Sequence, residues 1–544
     1  MGIPGFLTAL LLAMLMFVHT YSYETTIFKP YKEEKFRSLV AKACQFIDAH
    51  ELCVSNIRTH IKESGHGLTP HSVLSAAVKE AHDKAKLAME GIPTVTMLSI
   101  RSREQVAIED CKELVGFSVT ELAWSMLEMN KLHGGGGIDG GSHDAAAAGG
   151  NLKTWLSAAM SNQDTCLEGF EGTERKYEEL IKGSLRQVTQ LVSNVLDMYT
   201  QLNALPFKAS RNESFTAGPE WLTETDDSLM MRHDPSAMHP NTVVAIDGKG
   251  KYRTINEAIN EAPNHSTKRY VIYVKKGVYK ENIDLKKKKT NIMLVGDGIG
   301  QTIITGDRNF MQGLTTFRTA TVAVSGRGFI AKDITFRNTA GPQNRQAVAL
   351  RVDSDQSAFY RCSVEGYQDT LYAHSLRQFY RDCEIYGTID FIFGNGAAVL
   401  QNCKIYTRVP LPLQKVTITA QGRKSSNQNT GFVIQNSYVL ATQPTYLGRP
   451  WKLYSRTVYM NTYMSQLVQP RGWLEWFGNF ALDTLWYGEY NNIGPGWRST
   501  GRVKWPGYHI MDKRTALSFT VGSFIDGRRW LPATGITFTA GLAN

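Results

Sequence analysis

Phe359-Tyr360-Arg361-Cys362, Phe379-Tyr380-Arg381-Asp382-Cys383, Val399-Leu400-Gln401-Asn402-Cys403 and Phe432-Val433-Ile434-Gln435-Asn436 repeat one pattern, an apolar run closed by polar residues. The first three begin about twenty residues apart, and no long helical pattern separates them. Strands returning at that period without crossover helices point to a parallel β-helix with one coil per repeat, with a sandwich or a propeller as the rival arrangements. Cys383 and Cys403 each lie four positions after their repeat start and Cys362 three. On an alternating strand that phase pairs Cys383 with Cys403 on successive coils and leaves Cys362 buried and free.

The same β-rich character runs from about residue 241 to the end, through Tyr270-Val271-Ile272-Tyr273-Val274, 291–295 and 321–324, with Gly, Asp and Asn between the runs. Upstream the period changes. From about 33 to 205, Phe36, Leu39, Val40, Ala43 and Ile47, then Val73, Leu74, Ala77, Val78 and Ala81, then Leu185, Val188, Leu191, Val192 and Val195 recur at helical steps. Four or more amphipathic segments predict an all-α four-helix bundle ahead of the all-β domain. His133–Gly150 (HGGGGIDGGSHDAAAAGG) is low-complexity and is expected to be a flexible loop. Its HGGG has no G-x-S-x-G elbow elsewhere in the chain to serve as an esterase oxyanion loop.

Residues 206–240 hold four prolines among polar residues and read as a linker, with a sequon at Asn212 and another at Asn264. Phe6–Val18 is an apolar run of signal-peptide length, so 1–23 is expected to be a secretory signal, although it lacks a basic n-region. Cysteines in a secreted chain can form disulfides, and none of the seven has the C-x-x-C spacing of a zinc site; no metal or cofactor is expected. Gly296, Gly298 and Gly300 lack the βαβ unit of a dinucleotide site.

Charge divides the chain of 544 residues in the same place as periodicity. Residues 1–240 carry 22 Lys and Arg against 30 Asp and Glu, and residues 241–544 carry 38 against 20. The basic half therefore suits a polyanion: nucleic acid, anionic lipid or acidic polysaccharide. Its chemistry should lie where the coils stack Gln346, then Gln368 with Asp369, then Asp390, at about 4.8 Å per step. Two carboxylates and two amides in a column, near Tyr367, Tyr372, Phe391 and Phe393, can supply a nucleophile, an acid held protonated by its neighbour's charge, and oxyanion donors.

At these residues the sequence resembles the plant pectin methylesterases. Gly277-Val278-Tyr279-Lys280-Glu281, Gln346-Ala347-Val348-Ala349-Leu350-Arg351, Tyr367-Gln368-Asp369-Thr370-Leu371-Tyr372, Asp390-Phe391-Ile392-Phe393-Gly394-Asn395 and Leu447-Gly448-Arg449-Pro450-Trp451 match their five signature blocks in order. The upstream part resembles the inhibitor domain fused ahead of many such enzymes, most tellingly in the run from Trp155 to Cys166.

The resemblance implies an inhibitor-like bundle over 24–205 and a right-handed parallel β-helix catalytic domain over 241–544. It implies disulfides Cys44–Cys53 and Cys111–Cys166, which spacing alone leaves open among three pairings. Asp390 is implied as nucleophile, Asp369 as acid and base, Gln346 and Gln368 as oxyanion donors, and Thr316, Gln346, Arg449 and Trp451 as substrate-binding. It further implies a secreted, monomeric cell-wall enzyme acting on methyl-esterified pectin, open to proteinaceous inhibitors, with neither nucleic acid nor membrane as partner. The Lys286–Lys289 cluster reads as a solvated turn or a contact to wall polymer.

One departure stands out: the basic Leu-Leu processing motif usual before such catalytic domains is absent from Trp221-Leu222-Thr223-Glu224-Thr225-Asp226-Asp227 and its surroundings. The acidic clusters of calcium-dependent lyases and the Asn-Thr-Asp block of polygalacturonases are also missing. A non-catalytic wall-binding protein is the rival of another class; it would bind polymer and release no methanol.

Overall fold

The computed structural model describes residues 34, 36–65, 67, 69–96, 102–134, 142–173, 176–202 and 239–542. The expected signal segment, the Asn212 sequon and the linker, apart from its last two residues, lie outside the described residues.

The N-terminal region is helical: residues 36–43, then α1 (His50–Ser64), α2 (Pro70–Thr96), α3 (Ser102–Gly134), α4 (Ser142–Glu168) and α5 (Lys176–Leu202). The long helices α2 to α5 form the bundle. The predicted stripes are its core: Val73, Ala77, Val78 and Ala81 of α2 and Leu185, Val188, Val192 and Val195 of α5 are buried. Gly65, at φ 66°, ends α1 in the left-handed conformation that lets its amide cap the Lys62 carbonyl. Cys44 is bonded to Cys53, and Cys111 of α3 to Cys166 of α4. The loop expected over His133–Gly150 is shorter than predicted, because α4 starts inside it at Ser142. Four consecutive alanines, the best helix formers, outweigh the glycines that follow.

The C-terminal region is a parallel β-helix. Every strand pairs in parallel, and three sheets of eleven, seven and eight strands each receive one strand from a typical coil. The seven-stranded sheet carries the site; its strands are β1 (Ile283–Leu285), β2 (Val322–Val324), β3 (Leu350–Val352), β4 (Leu371–Ala373), β5 (Ile392–Gly394), β6 (Val416–Gln421) and β7 (Thr445–Pro450). Alternate residues such as Val322, Leu350, Leu371 and Ile392 point inward and fill the solenoid. The helix Ile255–Glu261, started by a Thr254/Glu257 capping box, packs into the N-terminal end of that core.

Each face is covered differently. The C-terminal segment lays Phe519, Val521, Ile525 and Trp530 on the outside of the eleven-stranded sheet. The bundle covers the seven-stranded sheet, whose outward residues Ala323, Tyr372, Phe393 and Ala420 merge with the bundle's own core.

The repeat register corrects one expectation. Phe359 pairs with Tyr380 and Leu400, not with Phe379 and Val399. Arg361, Asp382, Asn402 and Asn436 then align as corners at φ 49° to 58°, which explains the polar residue before each cysteine: Asn and Asp tolerate this left-handed turn best. Cys362, Cys383 and Cys403 follow in one inward column, and all three are buried free thiols. The expected Cys383–Cys403 bond is absent because in-register parallel strands hold Cβ atoms side by side at about 4.8 Å, beyond the span a disulfide uses. The thiols of Cys383 and Cys403 donate instead to the carbonyls of Phe359 and Tyr380 on the preceding coil.

Candidate active site

The register Leu371↔Ile392↔Thr419, continued two residues back, puts Asp369, Asp390 and Thr417 in one column. Both aspartates sit at a corner entering the sheet, with φ 62° and 50°, and both are buried. Gln346 stands two positions before this column, since Leu350 pairs with Leu371. It reaches the site from the preceding coil, where the Ala347 amide bonds the Gln368 carbonyl. Gln346 Oε1 is buried without a hydrogen-bond partner, so the amide is not tied to the protein there.

Asp390 is heavily bonded. Arg449 donates from Nε at 2.9 Å to Oδ1 and from Nη2 at 2.5 Å to Oδ2, and Thr417 Oγ1 donates to Oδ1 at 2.6 Å while accepting from the Asp390 amide. Among the described residues no hydrogen bond reaches the Asp369 carboxyl. Burial, and after it the charge of Asp390, hold that carboxyl well above the usual carboxylate range. Arg449 lies 4.3 Å over the Trp476 ring; burial works against its charge, and Asp390 outweighs that and raises it further. Tyr372 and Phe393 stack at 4.1 Å, and Trp451 tilts against Phe393.

These residues line one cavity of about 470 Å³ that contains Thr316, Gln346, Gln368, Asp369, Asp390, Arg449 and Trp451 together. Three of its walls were not read from the sequence. Thr417, which bonds Asp390 without lining the cavity, went unread because it follows Asp390 by a longer coil than the repeat suggests, and two of the walls are Phe310 and Trp476, single aromatics outside the quoted blocks. The third is the bundle itself: Thr165, Glu168, Gly169 and Glu171 close the cavity from above.

The bundle is held there by acids meeting bases. Arg318 pairs with Asp110 and Glu113, Lys286 with Glu113 at 2.6 Å, Lys287 with Glu121 at 2.8 Å, Lys424 with Asp164 and Lys452 with Glu168. The Lys286–Lys289 cluster is thus only in part a solvated turn: two of its lysines grip α3, Lys289 donates to the Asn260 and Ala262 carbonyls, and Lys288 is exposed. Burial pushes Asp110 up to about 6 and Glu121 up to about 7, with Arg318 and Lys287 opposing the shift. Polar contacts add Trp155 Nε1 to Asp355 at 2.9 Å, Asn395 to Ser161 at 2.7 Å and Gln428 to the Ser157 carbonyl at 3.0 Å. Among the described residues no group of His, Cys, Asp and Glu could hold a metal, and no helix is long and apolar enough to cross a membrane.

Residues 241–528 match the family model Pectinesterase, and residues 38–198 match Plant invertase/pectin methylesterase inhibitor. Pectinesterase/pectinesterase inhibitor 22 of Arabidopsis thaliana is 95% identical over 99% of this chain and 100% of its own length. Pectinesterase 1 of Citrus sinensis is 42% identical over 94% of this chain and 89% of its own. The solved structure of pectin methylesterase from carrot shares 56% identity and a TM-score of 0.55, covering 56% of this chain and 98% of that one. An inhibitor-type helical bundle thus precedes an esterase-type parallel β-helix. The chain belongs to the pectinesterase family, in its form with an N-terminal pectin methylesterase inhibitor domain.

Proposed function

We propose that this site hydrolyses the methyl esters of galacturonate units in pectin through an acyl-enzyme on Asp390, and that the docked bundle restrains it. The observation that carries the reading is the contrast within one column: Asp390 ion-paired to Arg449, Asp369 unbonded and pushed toward its protonated form. An Asp390 oxygen attacks the ester carbonyl carbon, and the charge that develops on the carbonyl oxygen falls to the Gln346 and Gln368 amides. Asp369 gives its proton to the methoxy oxygen as the C–O bond breaks, so methanol leaves and an Asp390–galacturonyl anhydride remains. Asp369, now a carboxylate, takes a proton from water; the hydroxide oxygen attacks the acyl carbon, freeing a galacturonate carboxylate and Asp390.

Thr316 and Trp451 bound the sugar path, and Arg449 fixes the nucleophile's orientation. The secreted, monomeric enzyme would act in the cell wall, and separate inhibitor proteins of the bundle's type would compete for the same face. The domain limits 24–205, 206–240 and 241–544 are part of this reading.

Methanol release from methyl-esterified pectin tests it. Asp390→Asn should abolish release with the fold intact; near wild-type release would end the nucleophile assignment. For restraint, the double variant Asp164→Lys, Glu168→Lys sets like charges against Lys424 and Lys452 in the full chain. Its methanol release should rise, by about tenfold if the lost coupling is of ordinary size. An unchanged rate would show that the bundle does not restrain the site.

A further inference from the structure

Residues 241–290 carry 12 Lys and Arg against 5 Asp and Glu, so a large share of the β-helix's positive charge gathers at one end of the solenoid. Lys286 and Lys287 go to the bundle. Lys249, Lys251 and Lys275 instead meet, with Tyr273, around a second cavity of about 480 Å³ beside the strand Thr242–Val244. Every residue lining it lies between 240 and 275, so the bundle takes no part in it. Thr242–Val244 is the first strand of the eleven-stranded sheet, and Ser357–Tyr360, on the coil that carries Asp369, is the fifth. Four steps of about 4.8 Å put the cavity about 19 Å from the catalytic column along the solenoid axis, and on a different sheet.

The local sequence builds this cavity. In Asp247-Gly248-Lys249-Gly250-Lys251, Gly250 lies so close on the strand that a Cβ there would stand 2.6 Å from the Val243 carbonyl oxygen. The amides of Lys251 and Tyr252 donate to that same carbonyl, so the loop lies along the strand with Lys249 and Lys251 flanking the contact. Tyr273 pairs with Val243, and its hydroxyl donates to Asp297 at 2.6 Å, which fixes the ring. Glu261 takes Lys251. Lys249 reaches Asp247 only at 3.8 Å, with both exposed, a pair that holds little charge back. Among the described residues Lys275 makes no ion pair. Two ammonium groups with charge to offer thus stand beside a fixed aromatic ring, in a volume within the range of ligand pockets, about 300 to 1,000 Å³. Ammonium groups suit single spaced carboxylates, the ring suits the C–H face of a sugar, and the arginine fork that favours phosphate is absent from the lining.

We infer that Lys249, Lys275 and Tyr273 form a second binding site, for the carboxylates of a de-esterified galacturonate chain, that is open while the bundle is docked. This rests on the reading of the protein as an enzyme of pectin. The consequence is tethering: with its groove closed, the full chain is still held on polymer that has already lost its methyl esters.

The test acetylates the lysines of the full chain under mild conditions and reads each position by mass spectrometry. A galacturonate decamer without methyl esters should slow Lys249 and Lys275 about fivefold, the scale of an exposed charge pair, and leave the exposed Lys504 and Lys513 unchanged. The fully methyl-esterified decamer and polyglutamate of equal charge should protect far less, the first for want of charge and the second for want of a sugar face. By calorimetry, Lys249→Gln with Lys275→Gln should weaken decamer binding about tenfold, and Arg at both positions should keep it. Equal protection by polyglutamate, equal slowing of Lys504, or binding that survives the double Gln variant would overturn the site, as would no protection at all. Methanol release from the esterified decamer should be the same in the double Gln variant as in the unmodified chain. A protein that is protected by the decamer but releases no methanol keeps this site and loses the esterase reading; one that releases methanol without protection does the reverse.

Discussion

Asp369 and Asp390 occupy the same column one coil apart, both at left-handed corners and both almost fully buried. Residue type, backbone and depth are shared, so none of these sets their difference. The neighbours do. The coils beyond Asp390 supply Thr417 and Arg449, whereas among the described residues no side chain bonds Asp369, on which Asp390 is the charge that acts most strongly. A solenoid makes this easy, because each coil is a nearly identical frame whose side chains change independently of the backbone. Opposite roles for two like residues need only different neighbours on the next coil.

Loss of function should break this comparison unevenly. Asp390→Asn removes the nucleophile itself and should lower kcat by about 10⁴-fold or more, the scale on which nucleophile deletions fall. Asp369→Asn removes general acid and base help, typically about 10²- to 10⁴-fold, and should leave the larger residual rate. The reverse ranking in a methanol-release assay would exchange the two roles. Thr417→Val should cost less, about tenfold in kcat with KM little changed, for it deletes one hydrogen bond to a charged group while Arg449 remains. Thr417→Ser should restore the rate; a Val variant that alters KM alone would assign Thr417 to packing.

The column was legible because its members recur at nearly the coil period, which is all that a linear pattern can register. Thr417 escaped because the coil between Asp390 and β6 is longer than its predecessors, so no fixed period reaches it. The cysteine pairing failed on the spacing of stacked strands, and the placing of Cys362 on the opposite face failed on a slip of one residue. Phe359 looks equivalent to Phe379 but pairs with Tyr380, and on a strand one residue is the difference between facing in and facing out. The bundle's helices were plain from their stripes, and the opposite charges of the two halves were plain from counting. That these charges meet each other across the site was not, since the sequence pairs neither acid with base nor face with face.

Titration sharpens the comparison further. A carboxyl whose pKa is raised on folding adds stability that is complete below its unfolded value and is lost as pH rises through the folded one. Asp369 should therefore favour the fold, and keep its catalytic proton, on the acid side, and lose both as pH climbs past its elevated pKa. In Asp390→Asn the like charge is gone while burial, the larger cause, remains. Carbon-13 NMR of aspartate carboxyls should then show Asp369 titrating lower than in the unmodified chain yet still above the usual carboxylate range. A return to the usual range would mean that Asp390, rather than burial, sets the asymmetry.

The smallest effect belongs to the bundle. Glu171 raises Asp369 as well, but it is exposed, and its influence ranks below those of burial, Asp390 and Arg449. Solvent screening should make Glu171→Gln shift the Asp369 titration downward only slightly, by less than Asp390→Asn does, and more in dilute buffer than in high salt. The bonds between Asp390 and Arg449 should be untouched, since among the described residues Glu171 makes no hydrogen bond or ion pair with either. A shift as large as that of Asp390→Asn would mean that the docked bundle, not the next coil, decides which aspartate carries the proton. The asymmetry of the two residues would then belong to the closed protein alone and would fade when the groove opens.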